Sequence, residues 1–164
     1  MSAWHETIDL SANVLNELLI SGHIGRLHFG MSKIEVEDLL GPPEDTGGTS
    51  RNNRRPSIYR YGALEIFFGG ADRNAATSVQ IRCLHGTEIA CLLVERTDEV
   101  QTLSSKVSLN LSRFYLEQNG IDFREVNSRP GLTHRLILTQ SAVELIFDDD
   151  NNLYSINAAL PHSH

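Results

Sequence analysis

Cysteine is scarce in this sequence, with two residues, Cys83 and Cys91, among 164. Both fall in apolar surroundings, at a spacing that matches no zinc or redox motif. A disulfide-stapled scaffold is thereby excluded. The pair reads as buried free thiols of a reducing cytoplasm, with a Cys83–Cys91 bridge as the alternative. Basic residues are also in deficit, 14 Lys and Arg against 21 Asp and Glu, a formal net charge of −7. An anionic surface argues against non-specific attraction to nucleic acid or acidic lipid, and makes a basic partner easier to accommodate than an acidic one. Long hydrophobic runs are missing. The longest, Ile89 to Val94, has the length of a strand and falls far short of the roughly 20 residues that cross a bilayer. Met1 to Leu10 lacks the basic start and apolar centre of a secretory signal. The expectation is a cytoplasmic chain that binds neither membrane nor nucleic acid.

Signatures of catalysis are absent as well. There is no Gly-x-Ser-x-Gly, no phosphate-cradling loop and no dinucleotide fingerprint. The seven histidines, His23, His28, His162 and His164 among them, show no ligand spacing. Asp148-Asp149-Asp150-Asn151-Asn152 reads as a polar hairpin turn, because a calcium loop would want Gly at position 153 and Glu at 159, where Leu and Ala stand. Cys83 or Cys91 with His85 can be written as a nucleophile and base, but no third group orients them. Glu65 and Glu144 invite an acid–base reading, for which cross-strand pairing, for instance Glu65 with Arg82, is the simpler account. The sequence therefore predicts no catalytic residue, no metal and no cofactor.

What is present is a globular composition, 40% hydrophobic and 21% charged, in a length that suits one ordinary domain or two small ones sharing a core. Apolar residues at helical spacing predict a helix over Asp9–Ile20, with Leu10, Val14, Leu15, Leu18 and Leu19 on one stripe and a stop near Gly22. Ser32 precedes Glu35 by three, a capping box, and Ile34, Val36, Leu39 and Leu40 follow before Gly41-Pro42-Pro43 closes the helix. A polar loop around Arg51–Arg55 comes next. Strand-like runs then occupy Ser57–Tyr61, Ala63–Phe68 and Thr77–Leu84.

The order then returns. Val100, Leu103 and Val107 could line a weak helix; Leu111, Phe114 and Tyr115 line a stronger one that stops at Gly120. Strands are predicted at Asp122–Val126, Thr133–Gln140, Ala142–Phe147 and Leu153–Ala159. Gly41 to Gly120 and Ala63 to Ala142 are both 79 residues apart, and Ala63-Leu64-Glu65-Ile66-Phe67-Phe68 lies over Ala142-Val143-Glu144-Leu145-Ile146-Phe147 without a gap. The fold class predicted is α+β. Two tandem modules, 1–86 and 99–164, are joined by a strand-like connector at 87–98 and packed as one unit, with the helices on one face of antiparallel sheets. Alternation puts Leu64, Ile66, Phe68, Val143, Leu145 and Phe147 toward the helices and Glu65, Phe67, Gln80, Arg82, Glu144, Ser155 and Asn157 away from them.

The segment Gly30-Met31-Ser32-Lys33-Ile34-Glu35-Val36-Glu37-Asp38-Leu39-Leu40-Gly41-Pro42-Pro43 resembles the helix motif of the small outer-membrane-assembly lipoproteins of the SmpA/OmlA type. The second copy keeps Gly120 of that motif. The wider group includes beta-lactamase-inhibitor-protein-like folds. The resemblance implies a helix-loop-helix packed on a four-stranded sheet, with tandem copies presenting a concave sheet surface to a partner protein.

The function expected is therefore that of a non-enzymatic protein-binding module, of an immunity or inhibitor type, acting as a monomer or homodimer. Its contact residues would be Tyr59, Tyr61, Glu65, Phe67, Arg82 and Glu144 on the open face, with Arg54 and Arg55 at the rim. The cluster Arg51, Arg54, Arg55 reads first as a solvated loop and second as an anchor for acidic groups. The alternatives are a small hydrolase or transferase with a Cys/His site between the modules, and a self-associating protein paired through an edge strand.

Overall fold

The computed structural model describes residues 12–82, 107–126 and 134–162. Helix α1 (Ala12–Ser21) buries Leu18 and Leu19. Helix α2 (Lys33–Leu40) starts on the predicted capping box: Ser32 Oγ accepts from the Glu35 N–H at 3.2 Å, and Glu35 Oε2 accepts from the Ser32 N–H at 2.7 Å. Gly41 ends it at φ 83°, a backbone state a side chain disfavours. Helix α3 (Leu109–Gln118) is capped by Ser108 Oγ, which accepts from the Leu111 N–H at 3.1 Å, and it buries Leu109, Tyr115 and Leu116.

Eight strands form a single antiparallel sheet: β1 (Asp45–Gly47), β2 (Ile58–Tyr61), β3 (Leu64–Gly69), β4 (Ala75–Arg82), β5 (Phe123–Val126), β6 (Arg135–Leu138), β7 (Glu144–Phe147) and β8 (Leu153–Ala159). Their order is β1-β2-β3-β4-β8-β7-β6-β5. Outward from the central β4–β8 pair, the strands match as β3 with β7, β2 with β6 and β1 with β5. Register breaks fall between Phe67 and Phe68 on β3 and between Ile146 and Phe147 on β7, again 79 residues apart. The two strand sets thus share one continuous hydrogen-bonded sheet.

One face of the sheet holds the core. Leu64, Ile66, Phe68, Val143, Leu145 and Phe147 are all buried on it, as alternation predicts, together with Ile81, Leu136, Leu138 and Ile156. α1 and α3 close over this face: Leu19, Tyr115 and Leu116 surround the same small void as Leu145 and Ile156. Ser141 Oγ also ties the β6–β7 turn to the Leu19 carbonyl at 2.8 Å. Asp148–Asn152 is a hairpin turn as expected, with Asp148 Oδ1 accepting from the backbone of Asp150 and Asn152 and Asn151 at φ 58°.

Strand β1 is one that the sequence does not predict: its three residues are polar or glycine and show no alternation to detect. Cys83, Cys91, His85, the connector 87–98 and all but the last residue of the weak helix lie outside the described residues.

Candidate functional site

Cross-strand register defines the face that the described helices leave uncovered. A row runs across all eight strands as Asp45, Arg60, Glu65, Gln80, Asn157, Glu144, Ile137 and Arg124. Beside it lie Ile58, Phe67, Ser78 and Ala159 on one flank, and Arg82, Ser155, Ile146, Arg135 and Val126 on the other. Ile58, Phe67, Ile137 and Ile146 are only partly covered, so apolar side chains are interspersed with charged ones along this face.

Glu65 and Glu144 occupy matching places in the two strand sets, yet their surroundings differ. Glu65 accepts a 2.8 Å bond from Arg60 Nε and lies 3.4 Å from Arg82 Nη1, with its side chain 6% exposed. Arg60 also donates to Asp45 at 2.6 Å. The hydrogen bonds to Glu65 and then Asp45 hold the Arg60 guanidinium above its ordinary range, and the bond from Arg60 draws the Asp45 carboxyl below its own. Glu144 is 33% exposed; its nearest ion-pair partner among the described residues, Arg135, is 3.6 Å away, beyond hydrogen-bonding reach. Three strand spacings separate the two glutamates, ~14 Å, too far for a catalytic carboxylate pair.

Between β3, β4, β8 and β7 the face dips into a depression of about 360 Å³ lined by Phe67, Ser78, Gln80, Ala142, Glu144 and Asn157. Asn157 Oδ1 is buried there without a hydrogen-bond donor, and Arg82 Nε and Ser155 Oγ nearby lack partners too. Among the described residues, no three His, Cys, Asp or Glu side chains come together as a metal site.

Of the predicted contact residues, Glu65, Phe67, Arg82 and Glu144 share the open face. Tyr59 and Tyr61 do not. The loop between β2 and β3 holds only Gly62 and Ala63, so Tyr61 pairs with Leu64 and Tyr59 with Ile66, both on the helix side. Tyr59 is 7% exposed; its hydroxyl donates to Glu37 Oε1 at 2.7 Å and its ring packs edge-on to Phe68 at 4.9 Å. Burial, then the bond to Glu37, pushes its pKa up to about 12. Tyr61 donates to the Gly41 carbonyl at 3.0 Å, and burial raises its pKa also. Both tyrosines fasten α2 to the sheet.

Arg54 and Arg55 are exposed on the β1–β2 loop. Arg55 belongs to the helix side, where Arg73 Nη1 donates to its carbonyl at 3.1 Å and Lys33 feels its charge. Lys33 donates to the Pro56 carbonyl at 2.5 Å and lies over the Tyr59 and Phe68 rings; burial first, then Arg55 and Arg73, lowers its pKa. Sequence reasoning passed over Ile58 and Ile137 as surface residues. Counting back from the two-residue turn at Gly62-Ala63 finds Ile58, because it exchanges Tyr59 and Tyr61 for their neighbours.

No protein-family model matches the chain, and no curated protein matches it in sequence. Among solved structures it is similar to a DUF4309 family protein, YjgB, from Bacillus subtilis subsp. subtilis str. 168. The TM-score is 0.50 and the identity 15%, over 92% of this chain and 97% of that one. A likeness at that identity concerns the fold, here an α+β architecture on an antiparallel sheet, and carries no activity with it.

Proposed function

We propose that the chain is a non-catalytic protein-binding module of the cytoplasm. In this reading it is a tandem duplication of a helix-and-four-strand unit, arranged like the beta-lactamase-inhibitor-protein-like folds, and it grips its partner with the open face of the sheet in an immunity or inhibitor-type pairing. The duplication is supported by the mirrored strand order and by matching features 79 residues apart: Gly41 with Gly120 at positive φ, Glu65 with Glu144, and the two register breaks. Duplication joined through β4 and β8 doubles the width of the free face without creating a new edge at the seam.

The observation that carries the binding reading is Phe67, a partly exposed aromatic in the middle of a polar face, bordering the depression. Aromatic anchors ringed by charged groups are the usual energetic centres of protein interfaces. The test begins with the tagged full-length chain in its source cells. A protein captured there is identified, purified and titrated calorimetrically against wild type and Phe67→Asp. The substitution is expected to weaken binding by more than about tenfold. Equal affinities would remove the open face as the binding surface.

A further inference from the structure

We infer that the depression between β3, β4, β8 and β7 receives an arginine side chain of the partner; the inference rests on the reading of the open face as a protein-binding surface. Glu144 is the one ionisable group among the residues lining the depression, and a third of its side chain is open. Asn157, its direct cross-strand neighbour, also lines the depression, and its carbonyl oxygen is buried with no donor. Phe67 supplies an aromatic wall.

A carboxylate and an amide oxygen on adjacent strands, ~5 Å apart at their backbones, ask for a group with several donors in one plane that also tolerates a ring face. Guanidinium meets all three requirements, whereas an ammonium is a single point charge. An anion would meet Glu144 at close range and be repelled. The chain's formal charge of −7 favours the approach of a basic partner. At the matching place in the other strand set, Arg60 and Arg82 of the chain itself already reach Glu65. The partner's arginine would add to Glu144, which Arg135 approaches at 3.6 Å, the close second guanidinium that Glu65 already has.

The ¹⁵N-labelled full chain is titrated with acetyl-Gly-Arg-Gly-amide and with the citrulline peptide, which has the same shape without the charge. The arginine peptide is expected to shift the side-chain amide signals of Asn157 and Gln80, with at least about tenfold weaker response to citrulline and in Glu144→Gln. The spectrum of that variant reports its own folding. Asn157→Asp, which adds a second carboxylate, is expected to tighten arginine binding and keeps the inference exposed should Glu144→Gln misfold. Equal response to both peptides, shifts confined to another surface, or indifference to both substitutions overturns it. With the purified partner, binding lost in Phe67→Asp but unchanged in Glu144→Gln sinks the arginine inference and leaves the binding face standing. Binding unchanged in both variants sinks the two together.

Discussion

Glu65 and Glu144 stand at matching positions of the two strand sets and are used differently. Glu65 is closed in by Arg60 and Arg82, on a face where Asp45 completes a chain of alternating charge. Glu144 has Ile137 beside it where Glu65 has Arg60, and among the described residues its ion pair is with Arg135 at 3.6 Å, without a hydrogen bond. On the covered face the sets agree: Phe68 and Phe147, 4% and 0% exposed, sit at equivalent places in one core. A repeated pattern therefore fixes the inside of the sheet, where burial allows few solutions, and leaves the outside free to diverge. The divergence leaves Glu65 enclosed between two guanidinium groups and Glu144 one-third open beside a single one.

The largest effects should come from the shared inside. Phe68→Ala and Phe147→Ala each remove a buried ring from the same core and should cost ~3–5 kcal/mol apiece. Because β4 and β8 make one continuous sheet, urea denaturation should show a single transition in both variants, by near-ultraviolet and by far-ultraviolet circular dichroism alike. Two separated transitions would mean that the sets fold independently and that the seam is weaker than its hydrogen bonds imply.

The outside should give a smaller, asymmetric effect. Glu65→Gln takes a carboxylate from between two guanidinium groups and should cost about 2 kcal/mol, discounted for the part-exposed arginines. Glu144→Gln should change stability by no more than ~0.5 kcal/mol. The check is the difference in urea midpoint between the two variants. Similar losses would show that Glu144 is already committed to the fold, leaving it no reason to await a partner.

Much of this was legible in the sequence because the core obeys strict alternation. Leu64-x-Ile66-x-Phe68 and Val143-x-Leu145-x-Phe147 name their face on sight, and Ser32-x-x-Glu35 with Gly41 bounds α2 to the residue. The sidedness of β2 was misjudged, since Ile58-Tyr59-Arg60-Tyr61 offers an apolar or aromatic residue at three successive positions. Only the two-residue turn decides which of them face the helices. Strand β1 was illegible because backbone pairing with β2 forms it and no side chain announces it. The depression could not be read at all: it arises from four strands distant in sequence, and the unpaired oxygen of Asn157 becomes visible only in three dimensions.

The smallest effect separates the two helix starts. The first turn of α2 is closed by a hydroxyl and a carboxylate, that of α3 by a hydroxyl, since Leu111 stands where α2 has Glu35. The backbone hydrogen bond from Ser32, then its hydroxyl, draws the Glu35 carboxyl below its ordinary value. A depressed carboxylate stabilises the folded state above its unfolded pKa, and that contribution drains away as pH falls through the folded value. Acidification from about pH 5 to about pH 3 should therefore lower hydrogen-exchange protection of the Ser32 amide, corrected for intrinsic rate, while the Leu111 amide holds. In Glu35→Gln the sensitivity at Ser32 should vanish. Equal loss at both helix starts would assign the acid response to the sheet they share and not to the capping box.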